Sequence, residues 1–165
     1  MLEWVTISSA TYEVTEIALR VSRETDNAFN PAVAELVDLW GFGPSARDGK
    51  VPTREQIGVA LEATQLDRLD IDPAAPALRK RAALQLDYSA IAKGYGVDRV
   101  AAVLEQAGVR NFMVEVGGEV RTRGAHPDGR PWRIGIEVPQ MVQGEAIAAL
   151  EPNDEAVATS GNYRN

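Results

Sequence analysis

Apolar residues return at helical spacing in four stretches of this chain. Val14, Ile17, Ala18 and Val21 fall at i, i+3, i+4 and i+7, which predicts an amphipathic helix ending near Thr25. Asn30 followed by Pro31 has the form of an N-cap and a first helical residue. Val33, Leu36, Val37 and Trp40 continue that helix to a stop at Gly41. Thr53 to Gln56 has the capping-box form, with Ile57, Ala60, Leu61 and Thr64 behind it. Val97, Val100, Ala101 and Leu104 mark the fourth helix, closed by Gly108.

Alternation marks the strands. Phe112, Val114 and Val116 share one face, and Gly117-Gly118 is a turn signal before Val120 and Thr122. Trp132, Ile134, Ile136 and Val138 form a third run, and Leu84 with Leu86 suggests a strand over 82–87. A short strand is also expected within 1–9, and 66–76 reads as a loop with short extended pieces. The late strands follow one another through short connections, which predicts an antiparallel sheet. Helices early and strands late give an α+β fold, helices packed on a mainly antiparallel sheet. Residues 1–165 read as one domain, with no repeat and no linker.

Composition removes several classes of function. Of 165 residues, 45% are hydrophobic and 25% charged, the profile of a chain that folds around a core. The net charge of −7 opposes a polyanionic backbone, so nucleic acid is not an expected partner. Cysteine is absent, which removes disulfides, thiol nucleophiles and Cys-based zinc sites together. No run of 18 apolar residues predicts a membrane span, and no signal peptide is visible at 1–10. His126 lies in a turn-like His-Pro-Asp-Gly stretch and reads as a solvated loop histidine.

Four clusters could carry chemistry. Asp87 to Gly96 joins an expected strand to a helix and contains Lys93, Gly94 and Gly96. A helix N-terminus beside a lysine can hold a phosphate, although spacing alone favours a plain turn with a solvated lysine. Glu115 and Glu119 flank the glycine pair, where acids can serve a cation or simply meet water. Trp40-Gly41-Phe42-Gly43 can close over a planar ring, or supply a core tryptophan and a C-cap glycine. Residues 158–165 group hydroxyls, glycine and arginine in a tail of the kind that is usually disordered.

In order, six stretches resemble the FAD:protein FMN transferases, the ApbE family, formerly called thiamine biosynthesis lipoproteins. They are Asn27-Ala28-Phe29-Asn30-Pro31, 39–44 (Leu-Trp-Gly-Phe-Gly-Pro), 87–99, 114–120, 131–137 and 158–165. The resemblance implies transfer of FMN from FAD to a Thr or Ser hydroxyl of a target protein, with Mg2+ and release of AMP. It implies that Ala28, Phe29 and Asn30 lie along the flavin nucleotide and that Asp87 and Lys93 contact FAD. It also implies that the main-chain carbonyl of Ala90 is a metal ligand, as a hard cation allows. No catalytic residue is assigned, and Glu115, Glu119 and His126 receive no role. The family usually has Asp at the positions of Asn30 and Asn162. Its members run to about twice this length, so the chain resembles a central piece truncated at both ends, impaired when isolated. The remaining metal-site side chains are then expected beyond residue 165. Most relatives are extracytoplasmic and lipid-anchored. The rival readings are a non-catalytic binder of FAD or another flavin nucleotide, and a structural domain without ligand.

Overall fold

The computed structural model describes residues 3–43, 51–137 and 146–161. The chain divides into two compact units, Met1–Ile91 and Ala92–Asn165.

The first unit begins with strand β1 (Val5–Thr6) and helix α1 (Ser9–Glu24). Ser8 caps α1, its hydroxyl accepting from the Thr11 N–H at 3.0 Å. The helix buries Val14, Thr15, Ala18, Leu19 and Ser22, a face that includes two hydroxyls. Thr15 satisfies its own by donating to the Thr11 carbonyl at 2.7 Å and meeting the Tyr88 hydroxyl at 2.6 Å. Helix α2 (Ala34–Leu39) ends where expected. Gly41 has φ +82°, its N–H donates to Asp38 and the Phe42 N–H to Val37, a Schellman closure that a residue with a Cβ would strain. Helix α3 (Arg54–Glu62) has both hydrogen bonds of the Thr53–Gln56 capping box.

A 3-10 turn (Leu66–Arg68) then leads into β2 (Leu69–Ile71), and β3 (Ala77–Lys80) lies between β1 and β2 in an antiparallel sheet. Val5 opposes Leu78 and Leu69 opposes Lys80. Leu19, Ala32, Leu69, Leu78 and Leu84 form the core, with Ile7, Leu66, Ile71 and Leu86 against it. Truncating Leu78 to Ala should cost ~2–5 kcal/mol, since the void cannot fully close.

Two expectations for this unit need correction. Residues 82–87 are not a strand; Leu84 and Leu86 pack against the core without a ladder, and the strand is β3, just before them. Asn30 does not cap α2, whose N-cap position is Val33. Instead its Oδ1 accepts from the Ala32 N–H at 2.8 Å, making a turn that precedes the helix.

Helix α4 (Ser89–Gln106) lies in the second unit from Ala92 onward. Val97, Ala101, Phe112 and Val114 make that unit's core, with Leu104 against them. Gly108 closes α4 at φ +80°. Strands β4 (Phe112–Val116) and β5 (Glu119–Arg123) form a hairpin across Gly117 and Gly118. Both glycines have positive φ, as a two-residue primed turn demands. The expected meander does not continue. β6 (Ile134–Glu137) pairs with β7 (Ala146–Leu150), while the second neighbour of β5 is β8 (Ala156–Val157). Buried Thr122 helps fix that edge through the carbonyls of Glu155 and Pro152 at 3.2 and 3.3 Å. Every pairing is antiparallel, in keeping with the α+β class. The segments 44–50, 138–145 and 162–165 lie outside the described residues, and with them Pro44, Val138 and Asn162. No described helix is long and apolar enough to cross a membrane.

Candidate functional site

In the first unit, α1 ends in two successive left-handed residues, Asp26 at φ +49° and Asn27 at φ +63°. Asx residues tolerate that conformation better than others, and here the strain is repaid locally. The Asn27 N–H donates to the Ser22 carbonyl at 2.8 Å, and the Ser22 hydroxyl to Asn27 Oδ1 at 2.9 Å. The chain is thereby turned so that Ala28 is exposed while Phe29 and Asn30 are half-buried. The Phe29 N–H donates to the Thr25 hydroxyl at 3.2 Å.

Asn30 uses both ends of its amide. Oδ1 accepts from Ala32, and Nδ2 donates to the Thr64 carbonyl at 3.0 Å. Those partners leave one orientation of the group possible. The second bond needs the amide, because an ionised carboxylate could not donate to Thr64.

Beside it opens a cavity of about 490 Å3 lined by Asn27, Asn30, Thr64, Gln65, Leu66 and Asp67. Five of the six lining residues are polar. Their amides, hydroxyl and carboxylate suit a ligand rich in hydroxyls and ring nitrogens. Thr64, Gln65 and Asp67 were not among the expected site residues. Thr64 was read as the last position of the α3 pattern, Gln65 and Asp67 lie in the polar stretch behind it, and the bond from Asn30 to the Thr64 carbonyl ties that stretch to the cavity.

Asp87 joins the same neighbourhood. Its N–H donates to the Pro31 carbonyl at 2.7 Å, next to Asn30. Its Oδ1 accepts from the Ser89 N–H at 2.7 Å, so the carboxylate already covers one free amide at the start of α4. Ala90 follows in the first turn of α4 and is exposed. Gly94 and Gly96 lie inside α4, with open space where a Cβ would sit, and not in a phosphate-binding loop. Trp40 is 47% exposed and Phe42 67%, so Trp40 is not a core residue, and both rings are free to meet a ligand.

The second unit holds Lys93. It is not a freely solvated lysine: its Nζ stands 2.6 Å from Glu119 Oε2 and donates to the Gly117 carbonyl at 2.8 Å. Glu115 closes the same turn, accepting from the Gly118 N–H at 2.6 Å. His126 is exposed as expected. Its Nδ1 lies 2.8 Å from Asp128, and its ring meets Trp132 edge-on. Contacts from Arg130 and His126 hold the Asp128 carboxyl well below the usual carboxylate range. Among the described residues, no three Asp, Glu or His side chains stand close enough to hold a metal. A magnesium ion would find no group of three acidic or histidine side chains in that described part, and the Ala90 carbonyl is the one ligand that the family resemblance implies.

The profile of the ApbE family matches residues 1–165. The chain belongs to the ApbE family. Among curated ApbE relatives, the FAD:protein FMN transferase of Vibrio cholerae is 44% identical over 160 residues, covering 96% of this chain and 47% of that protein. The protein of the same name from Haemophilus influenzae is 38% identical over 164 residues, covering 97% of this chain and 47% of its own. The chain thus spans about half the length of the curated relatives it matches. Among solved ApbE structures, the flavin transferase of Vibrio cholerae superposes with a TM-score of 0.86 at 42% identity, over 99% of this chain and 52% of that one. The Thermotoga maritima ApbE protein gives 0.85 at 33% identity, over 98% and 52%.

Proposed function

We propose that this chain is part of a flavin transferase that moves FMN from FAD to a Thr or Ser hydroxyl of an acceptor protein. The acceptor oxygen attacks the FMN-side phosphorus, the pyrophosphate bond breaks, and AMP leaves with the bridging oxygen. The observation that carries this reading is the family match along all 165 residues to proteins of that activity. The geometry supports it. Asn30 lines a cavity of mostly polar side chains, and the main chain of Asp87 bonds to Pro31 next to it. In this reading Ala28, Phe29 and Asn30 contact FAD along its flavin nucleotide, with Asp87 accepting from a hydroxyl or ring N–H. Lys93 offers its ammonium to a phosphate. Mg2+, when bound, screens the two phosphates against each other. The Ala90 carbonyl is one of its ligands, and the rest of its shell comes from FAD and from residues outside the described set.

Titration of the chain with FAD, with and without magnesium, tests the reading through quenching of flavin fluorescence. Saturable binding that magnesium tightens supports it, and no quenching at any FAD concentration rejects it. A second reading, a flavin-nucleotide binder without transfer, is favoured by the lack of a described carboxylate cluster. Mass spectrometry of an acceptor peptide incubated with FAD separates the two, because only transfer adds the mass of FMN.

A further inference from the structure

Lys93 leaves α4 and runs across the turn between β4 and β5. Its ammonium donates to the Gly117 carbonyl at 2.8 Å and forms an ion pair with Glu119 Oε2 at 2.6 Å. The two ends of the ion pair differ in exposure. The Glu119 side chain is 14% exposed and that of Lys93 45%, so the carboxylate is the fixed end and the ammonium faces outward. Gly117 makes room for the stem. A Cβ on it would lie 2.9 Å from Lys93 Cδ, whereas one on Gly118 would meet only the Thr159 hydroxyl, at 3.7 Å. Glu115 holds the turn itself and leaves Glu119 to the lysine.

We propose that Glu119 is a positioning residue for Lys93. It pins the ammonium at the hairpin turn, where its exposed side can meet a phosphate oxygen of FAD. This rests on the reading that Lys93 contacts FAD. A lysine on a four-carbon stem loses rotamer freedom when it grips a ligand, and here that loss is taken on folding. The proposal makes a prediction opposite in sign to simple electrostatics. Neutralising Glu119 removes a negative charge near a bound phosphate, which by Coulomb's law should tighten FAD. If positioning dominates, binding weakens instead.

The test uses the 165-residue chain with Glu119→Gln, Glu119→Asp, Lys93→Met and the double variant Glu119→Gln/Lys93→Met. Glu119→Gln should weaken FAD binding about fivefold to tenfold, and the double variant should bind no more weakly than Lys93→Met alone, since the two residues act as one unit. Glu119→Asp keeps the charge and shortens the reach, so it should also weaken binding, and it guards against a variant that folds poorly. A readout that needs no ligand is the rate at which an amine reagent labels Lys93, followed by mass spectrometry. It should rise about threefold or more in Glu119→Gln, because the amine is no longer tethered against the hairpin turn and reaches the reagent more freely. Unchanged or tighter FAD binding in Glu119→Gln, with Lys93→Met still weakened, overturns the positioning role and leaves the FAD contact standing. Full affinity in Lys93→Met overturns the FAD contact and this inference with it. If the parent chain binds no FAD, the phosphate half of the claim fails, and an unchanged labelling rate overturns the positioning half.

Discussion

The main-chain N–H of Asp87 donates to the carbonyl of Pro31 at 2.7 Å. That bond joins the entrance to α4 to the segment that follows α1, at the residue next to Asn30. The same residue has a second task, since its Oδ1 accepts from the Ser89 N–H. The two tasks are separable by substitution. Asp87→Ala should lose ~1 kcal/mol of stability with the cap and bind FAD more weakly. Asp87→Asn keeps an oxygen for Ser89 and should hold its stability, yet still bind FAD less well than the parent. Urea unfolding and flavin fluorescence on the same samples decide it. Parental affinity in Asp87→Asn would reduce the residue to a cap.

Asn30→Asp reverts the position to the residue usual in the family. Here it places a carboxylate against the Thr64 carbonyl, where an N–H now donates at 3.0 Å. The expected loss is ~1–3 kcal/mol at neutral pH, for one hydrogen bond removed and two oxygens opposed. A protonated carboxyl can donate, so folding raises the pKa of the new acid. Its penalty is then largest above that raised pKa and fades as pH falls through it. Unfolding of variant and parent in urea at pH 7 and near pH 4 checks the sign. A penalty independent of pH would mean that the Thr64 contact is not what the amide supplies.

What the sequence disclosed follows from how local each feature is. The Thr53–Gln56 capping box and the stops at Gly41 and Gly108 are settled within a few residues, and each stands where expected. The Gly117-Gly118 hairpin is local in the same sense. The strand at 82–87 was misplaced because Leu84 and Leu86 alternate for burial in the core and not for a ladder. The partner of β6 was missed because β7 is exposed along its whole length and shows no alternation to read. At the candidate site, the contacts of the motif residues join distant parts of the chain. Asn30 bonds to Thr64 34 residues on, and Lys93 to Gly117 24 residues on. No spacing rule announces either, so the place of Thr64, Gln65 and Asp67 at the cavity went unnoticed, and spacing alone favoured a solvated Lys93.

Asp70 gives the first unit a pH dependence. Hydrogen bonds from Arg81 and Arg79, in that order of weight, pull its carboxyl down to about 2. A carboxyl with a depressed folded pKa contributes stability that is whole above its unfolded value, near 3.8, and is lost as pH falls toward 2. Unfolding midpoints in urea should therefore drop between pH 4 and 2. Asp70→Asn should flatten the part of that drop due to this group. Its two arginine partners are exposed while the carboxyl itself is mostly covered, so the effect should also shrink, though only in part, in high salt. Identical pH profiles for variant and parent would show that the pair adds nothing to folding.

The 165-residue chain by itself should transfer no FMN, even where it binds FAD. Transfer requires two negative phosphates to be screened while a hydroxyl attacks between them. Magnesium does this only if it is held, and it normally leans on one or two carboxylates as well as on substrate oxygens. The described residues offer the Ala90 carbonyl and no cluster of three acidic or histidine side chains. Lys93 cannot substitute, because its single positive charge is already opposed by the Glu119 carboxylate. The curated relatives that carry the transferase name are about twice as long as the matched region. Adding, as a second chain, the part of the Vibrio cholerae relative that this chain does not match should then restore magnesium-dependent labelling of a Thr-containing acceptor. FMN attached to that acceptor is read directly as a mass increase, and AMP released in equal amount is its control. Labelling by the short chain alone, dependent on magnesium, would show that its own residues complete the metal shell.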